Sequence, residues 1–358
     1  MILTYVAIAV ALFFAMNIGA SGTAASMGAP YGSGAIKNKR LALILVAISA
    51  FLGAVLGGGE VVKTIGSGII PSDILTVNVV VIILVGATFT LFLSNLIGIP
   101  LSTSEVTVGS IVGVGAAYHA VYTSKLIIII SFWVIIPIAS FLITYIFGKI
   151  INYMEKKWPH LKGQGRWAKW LSLLLVLGGC FEAFSAGMNN VANSIGPLVG
   201  AGILSTSSGI LFGAIFTSIG AIVLGSKVLE TNGKKITKLS LLQGSAVSFT
   251  GGGLVVIASV FGLPIPLTQV TTCGILGVGT AKNGLKVLQK NVIKRIAMVW
   301  VISPLASLVV SYALINLFTK HNLYNILVVL STLITTLGTI YLLKLVKKEK
   351  RTLNDDKA

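Results

Sequence analysis

The sequence predicts an all-α polytopic membrane protein made of two inverted-topology repeats with broken or re-entrant helices. Three observations lead there: apolar runs of bilayer length, an internal duplication, and basic loops that switch partner between the two copies. Of 358 residues 55% are hydrophobic and only 10% charged, and mean hydropathy is +0.96. Soluble chains carry about a quarter charged residues.

The first apolar span, Ile2 to Ile36, has no Lys or Arg before Lys37. It therefore lacks the basic flank of a cleaved signal peptide and is expected to remain as a helix. Residues 2–36 and 170–204 are each 35 residues long, whereas a crossing needs roughly 20. Both are expected to be broken, unwound or partly re-entrant. Leu41 to Leu56, Val77 to Ile97, Leu126 to Phe147, Ile296 to Phe318 and Ile326 to Leu345 are closer to one crossing each. None alternates with period two, which argues against a barrel. Residues 1–150 read as the first transmembrane repeat, 151–169 as a basic cytoplasmic linker, 170–318 as the second, inverted repeat, and 319–358 as a further helix with a basic tail.

The duplication rests on three anchors in one order. "IGASGTAASMGAPYGSG" from Ile18 aligns with "AGMNNVANSIGPLVGAG" from Ala186, placing Gly19 over Gly187, 168 positions on. "GGEVVKT" from Gly58 aligns with "GSKVLET" from Gly225, 167 positions on, and "PLSTSEVTVGSIVGVG" from Pro100 with "PIPLTQVTTCGILGVG" from Pro264, 164 positions on. Cytoplasmic loops carry the excess of Lys and Arg. The Lys37, Lys39, Arg40 loop is basic and its counterpart at Ser205 is not, while Lys227, Lys234, Lys235 and Lys238 answer a first-half loop with a single Lys. A third pair of loops, at His119 to Lys125 and at Lys282 to Arg295, switches in the same way. An odd number of crossings per repeat gives this switch, and the expected total is about eleven crossings, N-terminus outside and C-terminus inside.

The net charge of +18 sits in loops, so it orients the chain in a membrane rather than binding nucleic acid. Cys180 and Cys273 stand alone in apolar segments and His119, His160 and His321 are isolated, so neither a disulfide framework, a metal site nor an organic cofactor is expected. No acid, base and nucleophile recur at a fixed spacing, and an enzyme is not expected.

The candidate site begins with "SAGMNNVANSIGP" (Ser185 to Pro197). Asparagine in a membrane helix often serves as polar glue between helices. Asn189, Asn190 and Asn193, three amides in five residues, instead point to a binding site, and Pro197 is expected to break the helix and free N–H groups for an anion. Their matches in the first copy are Ser21, Gly22 and Ala25, so the site is expected to be lopsided. "PLSTSEV" supplies the hydroxyls of Ser102, Thr103 and Ser104, followed by Glu105. The second copy supplies Thr268, Gln269, Thr271 and Thr272. Hydroxyls and backbone amides replace the hydration of an oxyanion without a fixed opposite charge. Acids inside a membrane are functional candidates by default, so Glu105, then Glu182, are the expected carriers of a coupling proton. Glu60 with Lys63, and Glu230 with Lys227, read mainly as helix-end ion pairs, with Lys227 retained as a secondary candidate for attracting an anion.

At these two motifs the sequence resembles the inorganic phosphate transporter (PiT) family, whose duplicated signatures read approximately GANDVANA and PVSTTHA. The resemblance implies an inverted-repeat symporter of a tetrahedral oxyanion, with both signatures forming the substrate and cation sites. Where the family pattern has Asn-Asp, this chain has Ser21-Gly22 and Asn189-Asn190; where it has His after the Ser/Thr cluster, this chain has Glu105 and Gln269. Loss of both aspartates removes hard carboxylate ligands suited to sodium. It also removes charges that would repel sulfate, which, unlike phosphate, has no proton to donate to a carboxylate. The chain thus resembles the sulfate permease branch. Its expected function is sulfate import by H+ symport at the plasma membrane. A Na+- or H+-coupled phosphate symporter and a passive anion channel are the alternatives, and the partners expected besides the anion and the lipid bilayer include a second copy of the chain, as a homodimer.

Overall fold

Helices start where a short polar side chain precedes an apolar run, because the first N–H groups of a helix have no partner in the ladder. Asn38 Oδ1 accepts from Leu41 N at 3.2 Å, Ser205 Oγ from Ser208 N at 3.2 Å, and Ser240 forms a reciprocal capping box with Gln243. The structure, a computed structural model, describes residues 1–327 apart from 97–100, 164, 231–238, 286, 287, 289, 323 and 326. Within these the chain is helical and no strand occurs. The helices are α1 (Ile2–Ile18), α2 (Gly28–Gly32), α3 (Lys39–Gly57), α4 (Gly59–Ser67), α5 (Val77–Leu96), α6 (Thr103–Ala117), α7 (Thr123–Lys157), α8 (Arg166–Gly200), α9 (Thr206–Leu224), α10 (Leu241–Val260), α11 (Leu267–Asn283) and α12 (Lys290–Phe318).

The two long motif spans differ. The first is broken as expected: α1 passes into a π-helical turn at Gly19–Thr23, then a 3-10 turn at Ala24–Met27, before α2. Two glycines and a serine within four residues, Gly19 to Gly22, weaken the α-helical ladder, since each glycine costs about 1 kcal/mol relative to alanine. The second span corrects the expectation. The whole of Arg166–Gly200 is one α-helix of 35 residues with Pro197 inside it. Pro197 falls in the last turn, where its missing N–H removes one ladder bond, and Ala201 N closes that turn on the Pro197 carbonyl at 3.1 Å. The backbone of Asn189 to Asn193 therefore stays within a helix, and only side chains from this stretch reach a neighbour. The free helix N-terminus expected at Pro197 is not there.

Close packing between the halves is reciprocal. A Cβ on Gly19 would overlap the Thr217 carbonyl, and a Cβ on Gly187 would overlap the Ala50 carbonyl. Gly53 meets the Phe184 carbonyl in the same manner, and Gly220 meets that of Met16. Each of these contacts joins one half of the chain to the other, and the partners are sequence-matched: 19 with 187, 16 with 184, 50 with 217, 53 with 220. The pattern recurs where α6 lies along α12 and α11 along α7. Gly113 abuts the Leu308 carbonyl and Gly277 that of Phe141. Only glycine permits backbones this close.

Seven helical segments among the described residues are long and apolar enough to span a bilayer: Ile2–Gly32, Lys39–Gly57, Thr123–Lys157, Arg166–Gly200, Thr206–Leu224, Leu241–Val260 and Trp300–Phe318. This is fewer than the eleven crossings expected from the sequence. Part of the difference is length: α6 has 15 residues and α4 has 9, short of the roughly 17–25 a crossing uses, while α11, with 17, and the Val77–Leu93 part of α5 lie at that limit. The further helix expected over Leu323 to Leu345, and the basic tail, lie almost wholly outside the described residues. Large apolar side chains face outward along α7, Ile127, Val134, Ile138, Leu142 and Ile146 among them, while Asn189, Ser194 and Ser185 are buried within. A chain with hydrocarbon outside and amides inside is built for lipid.

Candidate functional site

The N-terminus of α6 meets the middle of α8. Ser102 caps α6, its hydroxyl accepting from Glu105 N at 3.5 Å. The next two hydroxyls point across to the asparagines: Thr103 Oγ1 donates to Asn190 Oδ1, and Ser104 Oγ to Asn189 Oδ1, each at 3.4 Å. Asn193 Nδ2 donates to Ser104 Oγ at 3.2 Å and to Thr103 Oγ1 at 3.4 Å. Asn189 and Asn193 are fully buried and Asn190 is 2% exposed. Five of the residues singled out in the sequence, Thr103, Ser104, Asn189, Asn190 and Asn193, thus form one hydrogen-bonded cluster, with Ser102 capping the helix beside it.

Their roles within it divide. Asn189 is fully engaged: Nδ2 donates to Ser259 Oγ at 2.8 Å and to the Leu263 carbonyl at 2.9 Å, while Oδ1 accepts from Ile265 N at 3.0 Å as well as from Ser104. It holds the α10–α11 connection onto α8 and has no donor left for a ligand. Asn190 accepts from Thr103, and its Nδ2 lies 3.6 Å from where a Cβ on Gly22 would be. Gly22 is the residue matched to Asn190 by the repeat, so the two signature copies face each other at the position where each lacks an aspartate.

Glu105 is 1% exposed and Gln269 5%. Gln269 Nε2 donates to Glu105 Oε1, joining the first turn of α11 to the first turn of α6. These residues are also a matched pair, 164 positions apart. Glu182 accepts from Thr271 Oγ1 at 2.7 Å and lines a small recess, of about 10 Å³, together with Ser26, Ser248 and Ile275. Thr271 therefore belongs to the Glu182 recess rather than to the asparagine cluster.

Three expected residues are placed elsewhere. Ser21 donates back to the Asn17 carbonyl at 2.8 Å, a bond within its own broken helix, which is the ordinary use of serine in a helix. Thr268 is exposed, and the second-half hydroxyl mirroring Ser104 is not brought into the cluster. Lys227 is exposed on the segment after Gly225, and Glu230 is bound by Lys39 of α3 at 2.6 Å. Glu60 pairs with Lys63 at 2.6 Å as the spacing predicts. Sequence reasoning missed Ser259, Ser248 and the carbonyl of Leu263; a lone serine in an apolar helix carries no signal of its own, and a carbonyl carries none at all. Cys180 and Cys273 are free.

Buried amides and hydroxyls gathered where helices of a multi-pass bundle meet are the interior that a membrane transporter needs. Residues 18–311 match the phosphate transporter family. The chain is 53% identical to the sulfate permease CysP of Bacillus subtilis over 349 residues, 98% of each chain. It is 29% identical to a putative phosphate permease of Pyrococcus furiosus, covering 85% of this chain and 94% of that one. Among solved structures, a sodium-dependent phosphate transporter superposes with a TM-score of 0.77 at 25% identity, covering 88% of this chain and 98% of the other. The protein belongs to the phosphate transporter family and is a transporter, not an enzyme.

Proposed function

We propose that this protein is a secondary active transporter that imports sulfate across the plasma membrane by H+ symport, through alternating access between two inverted repeats. The observation that carries the substrate is the facing pair Gly22 and Asn190, positions that bear no carboxylate in either signature copy. Sulfate is a dianion with no proton at neutral pH, so a carboxylate there would repel it. Phosphate keeps a proton that can donate to a carboxylate. The 53% identity to a sulfate permease supports the same reading.

Binding draws on Asn190 Nδ2, on the hydroxyls of Thr103 and Ser104, and on the first-turn amides of α6. An anion is stabilised at a helix N-terminus by unpaired N–H groups and by the helix dipole. In the structure both hydroxyls donate to asparagine carbonyl oxygens, and a hydroxyl rotates freely to a better acceptor. Asn189 and Asn193 frame this arrangement from α8.

A dianion entering a negative-inside cell is opposed by about 2.3 kcal/mol per charge per 100 mV. Two co-transported protons cancel that opposition and more make the step electrophoretic. Without the aspartates the site is poor in hard ligands for sodium, and the buried carboxyls Glu105 and Glu182 are the groups suited to carry a proton. Uptake of labelled sulfate into proteoliposomes, with phosphate as competitor, tests the substrate. Saturable sulfate uptake that phosphate inhibits only weakly is expected; strong phosphate preference overturns the assignment, and conductance without accumulation makes the protein a channel.

A further inference from the structure

Two buried oxygens at the junction of α6 and α11 have no hydrogen-bond partner: Glu105 Oε2 and Gln269 Oε1. They are the unused atoms of the pair joined by Gln269 Nε2 and Glu105 Oε1. The hydroxyl of Ser303, on α12, lies beside the same carboxyl without reaching good hydrogen-bond geometry. An ionised carboxylate offers acceptors only, and a carboxamide oxygen is another acceptor. Between such groups one bond forms; Glu105 Oε2 then has only the Ser303 hydroxyl close by, and Gln269 Oε1 is left without a donor. One proton on Oε2 changes the count. The neutral acid then donates as well as accepts, and an acid and an amide, both planar and of equal span, pair at two points.

The surroundings are consistent with a neutral acid. Gln269 faces the carboxyl from α11 and Ser303 from α12. From α8 the first turn of α6 meets Asn189 and Asn193, both uncharged, and α5 packs lower down through Gly86 beside Ser110. Among the described residues no Lys, Arg or His forms an ion pair with Glu105, and Glu182 is engaged with Thr271.

We propose that Glu105 is the coupling proton site, and that its proton fastens α6 to α11 by a two-point acid–amide pairing with Gln269. The proposal rests on the proton-coupled reading above and gives it a device. The proton arrives from outside water, bonds to Oε2, and leaves to inside water; no other bond is made or broken beyond hydrogen bonds. Thr103 and Ser104 precede Glu105 in the same turn, so an ionised Glu105 opposes a dianion held there. Protonation removes that charge, and proton and sulfate therefore favour each other's binding.

The test uses the full chain in lipid nanodiscs with inorganic sulfate as probe. Infrared difference spectra on sulfate addition are expected to show the carbonyl stretch of a protonated carboxyl in wild type and in Glu182→Gln. The band is absent in Glu105→Gln and shifts in Gln269→Leu, where the acid loses its amide partner. Sulfate Kd is expected to weaken with rising pH in wild type, by up to tenfold per unit for one linked proton, and to be independent of pH in Glu105→Gln, whose amide copies the neutral acid. A band that survives Glu105→Gln, or an unchanged pH slope of Kd in that variant, overturns the proposal. If band and slope behave as stated but an inward proton gradient drives no accumulation, the pairing stands and the symport reading falls.

Discussion

Asn190 Nδ2 lies 3.6 Å from the point where a Cβ on Gly22 would sit, and the two residues are 168 positions apart in matched copies of one signature. That distance is ordinary van der Waals contact, so a small side chain fits at Gly22. An aspartate at either position would place its charge in the space between the copies. Gly22→Asp and Asn190→Asp are each expected to weaken sulfate binding by roughly tenfold or more, tenfold being about 1.4 kcal/mol. Phosphate binding is expected to suffer less, because its proton can donate to the new carboxylate. Isothermal titration of both anions against both variants measures this, and equal losses for the two anions would count against the charge argument.

Asn189 makes four hydrogen bonds, to Ser259 at the end of α10, to Leu263 and Ile265 in the α10–α11 connection, and to Ser104. Its replacement by leucine strands the Ile265 N–H and the Leu263 carbonyl in a buried place. Asn189→Leu is expected to destabilise the protein by about 2–3 kcal/mol, read as a lowered thermal midpoint in detergent. Asn190→Leu, which frees one weak bond from Thr103, is expected to cost less stability while losing more sulfate affinity. A reversed order would exchange the roles of the two asparagines.

The asparagine and Ser/Thr motifs, and their meeting in one cluster, were legible, because asparagines in an apolar helix and paired Ser/Thr runs stand out from their background. Two things were not. Whether Pro197 breaks a helix depends on whether it falls in the middle or the last turn, and that is fixed by packing against α4, where Gly66 and Gly200 come together. Which asparagine is saturated depends on partners 70 to 76 residues away, and Ser259 and a backbone amide leave no mark in sequence. Thr268 shows the limit of symmetry as a guide: a matched position does not imply a matched environment.

The reciprocal glycines predict a matched pair of defects. Gly19→Val and Gly187→Val each drive a side chain into a carbonyl of the opposite half, at Thr217 and Ala50. Overpacking of this kind costs about 1–3 kcal/mol or more. Both variants are expected to lower the thermal midpoint, and comparable losses would reflect the equivalence of the two contacts. A large loss in one and none in the other would contradict it.

The Lys39–Glu230 ion pair joins the two halves near the basic loops, with both side chains partly exposed at 37% and 46%. Screened pairs of this kind contribute at most about 1 kcal/mol. Lys39→Ala is expected to change stability by less than that, and raising salt is expected to shrink the difference further. A loss of several kcal/mol in thermal or chemical unfolding would mean that the pair is a structural anchor.

Sulfate accumulation against its own gradient tests the central claim most directly. Proteoliposomes containing the full chain, acid outside and neutral inside with sodium replaced by an inert cation, are expected to concentrate labelled sulfate. The sign follows from the charges: a carboxyl that protonates at the acid face and releases at the neutral face carries H+ inward together with the dianion. Dissipating the pH gradient with a protonophore is expected to abolish accumulation. Accumulation that ignores the pH gradient and requires sodium would contradict the account.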